Sequence, residues 1–173
     1  MPGTIKLHLL AVRSLVFGTC NLLVIGVPDG WKVVDGPFPP EVDRWFVLDG
    51  VNWAVAGRGH WRLAGPVTGE RGHRPVVDAS LELRPAAPGH PPADPALSLA
   101  RVTASGTRPM GEHAARWALG EVRRGFPRRA RPALAVTIAC EATRRHLRLL
   151  LEGPDPGDLE SLLPALDAGI RCH

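Results

Sequence analysis

The chain has 173 residues, of which 45% are hydrophobic and 22% charged, with a formal net charge of +4. That balance fits one folded domain with a single core and excludes an intrinsically disordered chain. The mild positive charge permits an anionic partner without requiring one. Three cysteines, Cys20, Cys140 and Cys172, exclude a disulfide-dense secreted framework.

From Ile5 to Val27 the sequence is largely apolar, but Lys6, His8, Arg13 and Asn21 interrupt it. The uninterrupted runs are too short to span a bilayer, and no signal-peptide cleavage site follows them. Residues 5–13 and 20–27 are read as two short strands and the protein as cytoplasmic. Tethering to a membrane by this apolar stretch is the alternative. Pro28-Asp29-Gly30 is a turn signal before Trp31, and Lys32 to Asp35 continues as strand. Arg44–Leu48 and Val51–Ala56 flank Asp49-Gly50, a dipeptide suited to a type I′ hairpin turn. Residues 57–75 read as loop with a short strand at His60–Leu63, and Val76–Arg84 as a further strand.

Residues 85–95 hold five prolines in eleven positions, read as a surface loop inside a single domain spanning 1–173. Ala96–Ser105 is taken as strand. In 110–124 the apolar Ala115, Ala118, Leu119 and Val122 fit helical spacing, and a strand over Ala115–Val122 fits nearly as well. Leu134, Val136, Ile138 and Cys140 alternate with smaller residues, and Leu147, Leu149 and Leu151 alternate across the turn at 141–143. This is a hairpin with one core face on each strand. Asp155–Asp158 then offers helix-capping chemistry, and Leu159, Leu162, Leu163, Leu166 and Ile170 form a helical apolar stripe. Pro164 inside that stripe is expected to kink or shorten the helix. The fold class is α+β: a mainly antiparallel sheet covered by a C-terminal helix, with one further helix if 110–124 is helical.

An apolar strand running into Pro28-Asp29-Gly30-Trp31, then Gly111-Glu112-His113-Ala114-Ala115, a long hairpin and a leucine-striped terminal helix resemble the PsbP-like superfamily. The resemblance covers residues 20–35 and 105–173, about half the chain. It implies an antiparallel sheet covered by helices and a non-enzymatic binding or accessory role. No catalytic residues carry over.

Among the 21 basic residues only Lys6 and Lys32 are lysines. A GC-rich genome accounts for this arginine bias. The absence of Gln and the scarcity of Asn suit a heat-adapted protein, while the missing lysines do not. The densest cationic segment runs from Arg123 to Pro132 and includes Arg123, Arg124, Arg128, Arg129 and Arg131. Arg144, Arg145 and Arg148 follow across the hairpin. Arginine's planar fork suits phosphate and carboxylate, so these eight residues form the candidate surface for an acidic protein or a nucleic acid. A solvated arginine-rich loop is the plain alternative, and Phe126 is the only aromatic in the cluster available for stacking.

Cys140, His146, Cys172 and His173 are weak metal candidates, because C-x5-H and an adjacent Cys-His pair do not match the usual zinc spacings. Cys140 and Cys172 are the candidate disulfide, joining the terminal helix to the hairpin. The sequence carries no G-x-S-x-G, P-loop or H-E-x-x-H motif, so no cofactor or catalytic set is assigned.

Overall fold

The structure is a computed structural model that describes residues 4–14, 18–36, 42–48, 52–57, 59–67, 76–86 and 89–171. Eleven strands are present among these residues: β1 (Ile5–Ser14), β2 (Gly18–Pro28), β3 (Lys32–Asp35), β4 (Val42–Leu48), β5 (Asn52–Gly57), β6 (Gly59–Pro66), β7 (Val76–Pro85), β8 (Arg101–Met110), β9 (His113–Arg124), β10 (Arg129–Cys140) and β11 (Arg145–Glu152). Two short helices close the chain, α1 (Pro156–Glu160) and α2 (Leu163–Gly169). The fold is therefore mainly antiparallel sheet with a helical C-terminal segment.

Seven strands form one sheet in the order β3-β6-β7-β11-β10-β9-β8, and β1-β2 and β4-β5 form two-stranded ribbons. The hairpin expected in the last third is present as β10 and β11. Leu134 pairs with Leu151, Val136 with Leu149 and Ile138 with Leu147. The same rows continue through Leu81 and Leu83 of β7 and Trp61 and Leu63 of β6. One face of the sheet is thus a continuous apolar surface, as strict period-two alternation requires. Against it lie Leu23, Ile25 and Val27 of β2 and Leu159, Leu162, Leu163, Leu166 and Ile170 of the helical segment, in one cluster. Trp31 and Trp61 are buried in it and Trp117 packs at its margin.

The terminal helix breaks where proline demands it. Asp155 caps α1 through Oδ1, accepting from the Gly157 N–H at 2.8 Å. The segment then restarts as α2 with Pro164 in its first turn, where a missing N–H costs no helical bond. Helix α2 lies so close to β2 that a methyl group at Gly26 would stand 2.7 Å from Gly169 Cα. Glycine at the crossing is what lets the two backbones touch. Arg108 of β8 pairs with Asp167 of α2, and the Gly111 N–H donates to the Asp167 carbonyl at 2.7 Å.

One open choice is decided here and one expectation corrected. Residues 113–124 form strand β9, the strand alternative of the two the sequence allowed. Its apolar residues mimic helical spacing because both faces of the strand are covered. Ala115 and Leu119 join the main core, while Ala118 and Val122 are buried on the other side. Strand β8 starts at Arg101; before it, Pro95–Ser98 is a single 3-10 turn capped by Asp94.

The proline-rich segment is strapped across the second face of the large sheet. Arg116 Nη2 donates to Asp94 Oδ2 at 2.7 Å, and Arg148 Nη2 donates to Ser98 Oγ at 2.7 Å. Pro95 is buried beneath the strap, over a floor of small buried residues that includes Ala118, Ala133 and Ala135.

Candidate functional site

Strand β10 decides where the arginines go. It runs from Arg129 to Cys140, so its two ends stand about 35 Å apart at ordinary strand rise. Arg123, Arg124, Arg128, Arg129 and Arg131 gather at one end, and Arg144 and Arg145 lie at or beyond the other, with Arg148 nearer to them. The structure therefore does not bring the eight residues into one surface. The five-residue group forms the β9–β10 hairpin tip; the three-residue group belongs to the β10–β11 turn and the strand after it.

The tip projects. Strand β8 pairs with β9 only as far as Glu121, and β11 pairs with β10 only as far as Ala133. Beyond those rows the two strands pair solely with each other: Val122 with Arg131, Arg123 with Ala130, and Arg124 with Arg129. Three residues per strand extend about 10 Å past the last shared rows, plus the turn. Gly125, at φ 74°, supplies the positive φ the turn needs. Phe126 stands at its apex fully exposed.

Side chains alternate along this ribbon. Arg123 points to the helix-covered side of the sheet, while Arg129 and Arg131 point to the strapped side and Arg128 sits in the turn. All four are exposed. None of the four takes part in an ion pair among the described residues. Arg124 differs. Its Nε and Nη2 donate to Glu152 Oε1 at 3.0 and 2.7 Å, and those hydrogen bonds, reinforced by charge, raise its pKa above the ordinary guanidinium value. Arg124 ties the outer end of the ribbon back to β11.

On the strapped side the cationic surface continues into a trough of about 420 Å³ lined by Arg131, Arg124, Glu152, Leu150, Ser80, Asp78 and Arg62. Arg62 was not among the sequence candidates. The signal that could have found it is the alternation His60, Trp61, Arg62, Leu63, which puts Arg62 on the solvent face of a strand whose other face holds tryptophan and leucine.

At the opposite end of β10, Arg145 is buried, at 1% exposure, and so stands apart from any exposed cationic surface. It shares parity with Leu147, Leu149 and Leu151, which turns it toward the apolar face. Its Nε donates to Thr143 Oγ1 at 2.8 Å, and Thr143 Oγ1 donates to Cys140 Sγ at 3.0 Å. Arg148 is held by Ser98, and Arg144 closes the turn at φ 49° with its N–H donating to the Glu141 carbonyl.

His146 pairs with Ala139 and Cys140 with Arg145, so Cys140 and His146 sit on opposite faces of the hairpin. Cys172 and His173 lie outside the described residues, and with them the expected disulfide. Among the described residues no three His, Cys, Asp or Glu side chains come together to hold a metal. His146 borders a pocket of about 590 Å³ under the strap, with His90, Pro91 and Pro92 on the far wall. Desolvation first, then the charge of His90, lowers the His146 pKa below the usual imidazole value.

No helix among the described residues is long and apolar enough to cross a membrane. Comparison with protein-family models, with curated proteins and with solved structures finds no match.

Proposed function

We propose that this protein is a cytoplasmic, non-enzymatic binding or accessory module that takes an anionic partner on its β9–β10 ribbon tip. The observation that supports this reading is the projecting ribbon, where Arg123, Arg128, Arg129 and Arg131 are exposed and take part in no ion pair among the described residues. Guanidinium groups so placed offer paired donors to carboxylate or phosphate with little rearrangement. Solvated cations gathered at one hairpin tip also raise the rate of encounter with an anion. The antiparallel sheet with its helical cover is read as a PsbP-like sandwich, which favours an accessory role over catalysis.

The reading is tested by salt-gradient elution from an immobilised polyanion such as heparin. Wild-type protein is retained, and a variant with Arg123, Arg128, Arg129 and Arg131 all replaced by Ala elutes early with an unchanged far-UV spectrum. Equal retention of the two proteins would remove the tip from the binding surface.

A further inference from the structure

We infer that the slot between the proline-rich strap and the large sheet binds a small organic carboxylate with a flat apolar body. The slot stands at the opposite end of β10 from the ribbon tip, so this site does not rest on the reading proposed above. Three observations carry it.

The first is the shape of the slot. The pocket of about 590 Å³ under the strap continues into a second of about 300 Å³, and the two share Pro91, Pro92 and His146. Both volumes are in keeping with small-molecule sites, which span about 300–1,000 Å³. Pro91 and Pro92 make one wall, with backbone held by their rings. Ala139 of β10, which offers only a methyl group, belongs to the other. Proline rings over alanine take a flat apolar body. The strap is tied down by Arg116 to Asp94 and by Arg148 to Ser98, so the wall is in place before a ligand arrives.

The second is an unpartnered hydroxyl. Thr137 lies in the row between Arg116 and Arg148, below the strap. It lines the smaller compartment at 2% exposure, and its Oγ1 has no hydrogen-bond partner in the protein. Such a hydroxyl is costly in the fold, and a ligand oxygen that accepts from it recovers the lost bond. His146 pairs with Ala139, two residues along β10 from Thr137 and on the same face. Diagonal neighbours of this kind stand about 7–8 Å apart. One carboxylate between them can accept from the hydroxyl and the imidazole together.

The third is charge. Strand β7 brings Arg84 and Glu82, bound to each other, and β11 brings Arg148 beside His146. The turn brings Glu141 and Arg144, and the strap brings His90. Among the described residues, three arginines thus meet two carboxylates, leaving a positive excess to which either imidazole can add. That excess favours an anion over a neutral or cationic ligand. Burial first, then His90, holds His146 neutral. A bound carboxylate favours its protonated form, so binding takes up a proton.

The test is isothermal titration calorimetry of the full chain with benzoate, benzyl alcohol and inorganic phosphate. Benzoate should bind at one site per chain, at least about tenfold more tightly than benzyl alcohol, which has the ring without the charge. Its affinity should rise as pH falls from about 7.5 to about 5.5, by at most about tenfold per unit for one proton taken up. His146→Gln should flatten that rise. Thr137→Val should weaken benzoate binding without lowering the melting temperature, since the fold leaves that hydroxyl unpaired. Phosphate should bind more weakly than benzoate, because it leaves the apolar walls uncovered. No benzoate binding at millimolar concentration, or equal binding of benzoate and benzyl alcohol, overturns the inference. Phosphate binding as tight as that of benzoate overturns the apolar body and reduces the slot to an inorganic-anion site. Unchanged benzoate affinity in Thr137→Val overturns the placement of the carboxylate. The wild-type comparisons decide between these outcomes even where a variant fails to fold.

Discussion

The guanidinium of Arg124, on β9, reaches across β10 to the carboxylate of Glu152, on β11, with Nη2 2.7 Å from Oε1. Arg124 stands in the outermost paired row of the β9–β10 ribbon, opposite Arg129, and Glu152 in the last β10–β11 row, opposite Ala133. The pair ties the outer end of the ribbon back to β11, and it removes Arg124 from the cations offered to a partner. Glu152 is the more buried partner, its side chain 14% exposed against 56% for Arg124.

Arg124 and its neighbours should therefore separate by assay. Arg124→Ala is expected to lower stability by about 1 kcal/mol, the upper end for a partly exposed pair, because it leaves Glu152 without its charged partner. Arg128→Ala or Arg129→Ala should stay within about 0.5 kcal/mol of wild type, as exposed substitutions do. Urea denaturation measures both. Equal losses at all three positions would show that the tip is structural.

The close approach of Gly26 and Gly169 holds the helical segment to the β1–β2 ribbon. A methyl group at Gly26 would meet the Gly169 Cα at 2.7 Å, so backbone has to move rather than a side chain. Gly26→Ala should cost about 2–3 kcal/mol, in the range of core overpacking. Thermal unfolding followed by far-UV circular dichroism reads it, and a loss below about 0.5 kcal/mol would place the crossing elsewhere.

Thr143 stands between a thiol and a buried cation. Its hydroxyl accepts from Arg145 Nε at 2.8 Å and donates to Cys140 Sγ at 3.0 Å. Thr143→Val keeps the shape and removes the acceptor. The expected loss is about 2 kcal/mol, the cost of stripping a partner from a buried charged donor. Arg145→Leu is the informative companion, since an apolar side chain there removes the charge that needs the hydroxyl; the pair should show coupling in a double-mutant cycle.

Acid should weaken the fold through two histidines. The pKa of His146 lies below the usual 6.5, through desolvation first and His90 second, and that of His8 is lowered by desolvation first and Lys6 second. Both imidazoles are thus held neutral in the fold. Their contribution is fully present above the unfolded value and is lost as pH falls through the folded values, below 6.5. The melting temperature should fall as pH drops from about 7 toward 5, and His146→Gln should flatten that fall. A pH-independent melting temperature in this window would contradict the burial of His146.

The β10–β11 hairpin was legible because its residues alternate and one face alone meets the leucine-rich cover. Strand β9 was not. With Ala118 and Val122 packed on the strapped side and Ala115 and Leu119 on the other, its apolar residues lose period two and fit a helix as well. Counting arginines along the chain joined two groups that the length of β10 keeps apart. Arg145 could have been set aside from its parity with Leu147, Leu149 and Leu151. Nothing local told that Asp94 and Ser98 would dock on Arg116 and Arg148, because that docking depends on how the strap crosses the sheet.

The most direct test of the cationic tip is the dependence of polyanion affinity on salt. Neutralising about four phosphates on duplex DNA predicts a slope of log K against log salt near about −3.6 for wild type. With Arg123, Arg128, Arg129 and Arg131 replaced by Ala, the slope should collapse toward zero while the melting temperature holds. An unchanged slope in that variant would place the anion site on another part of the molecule and contradict the account.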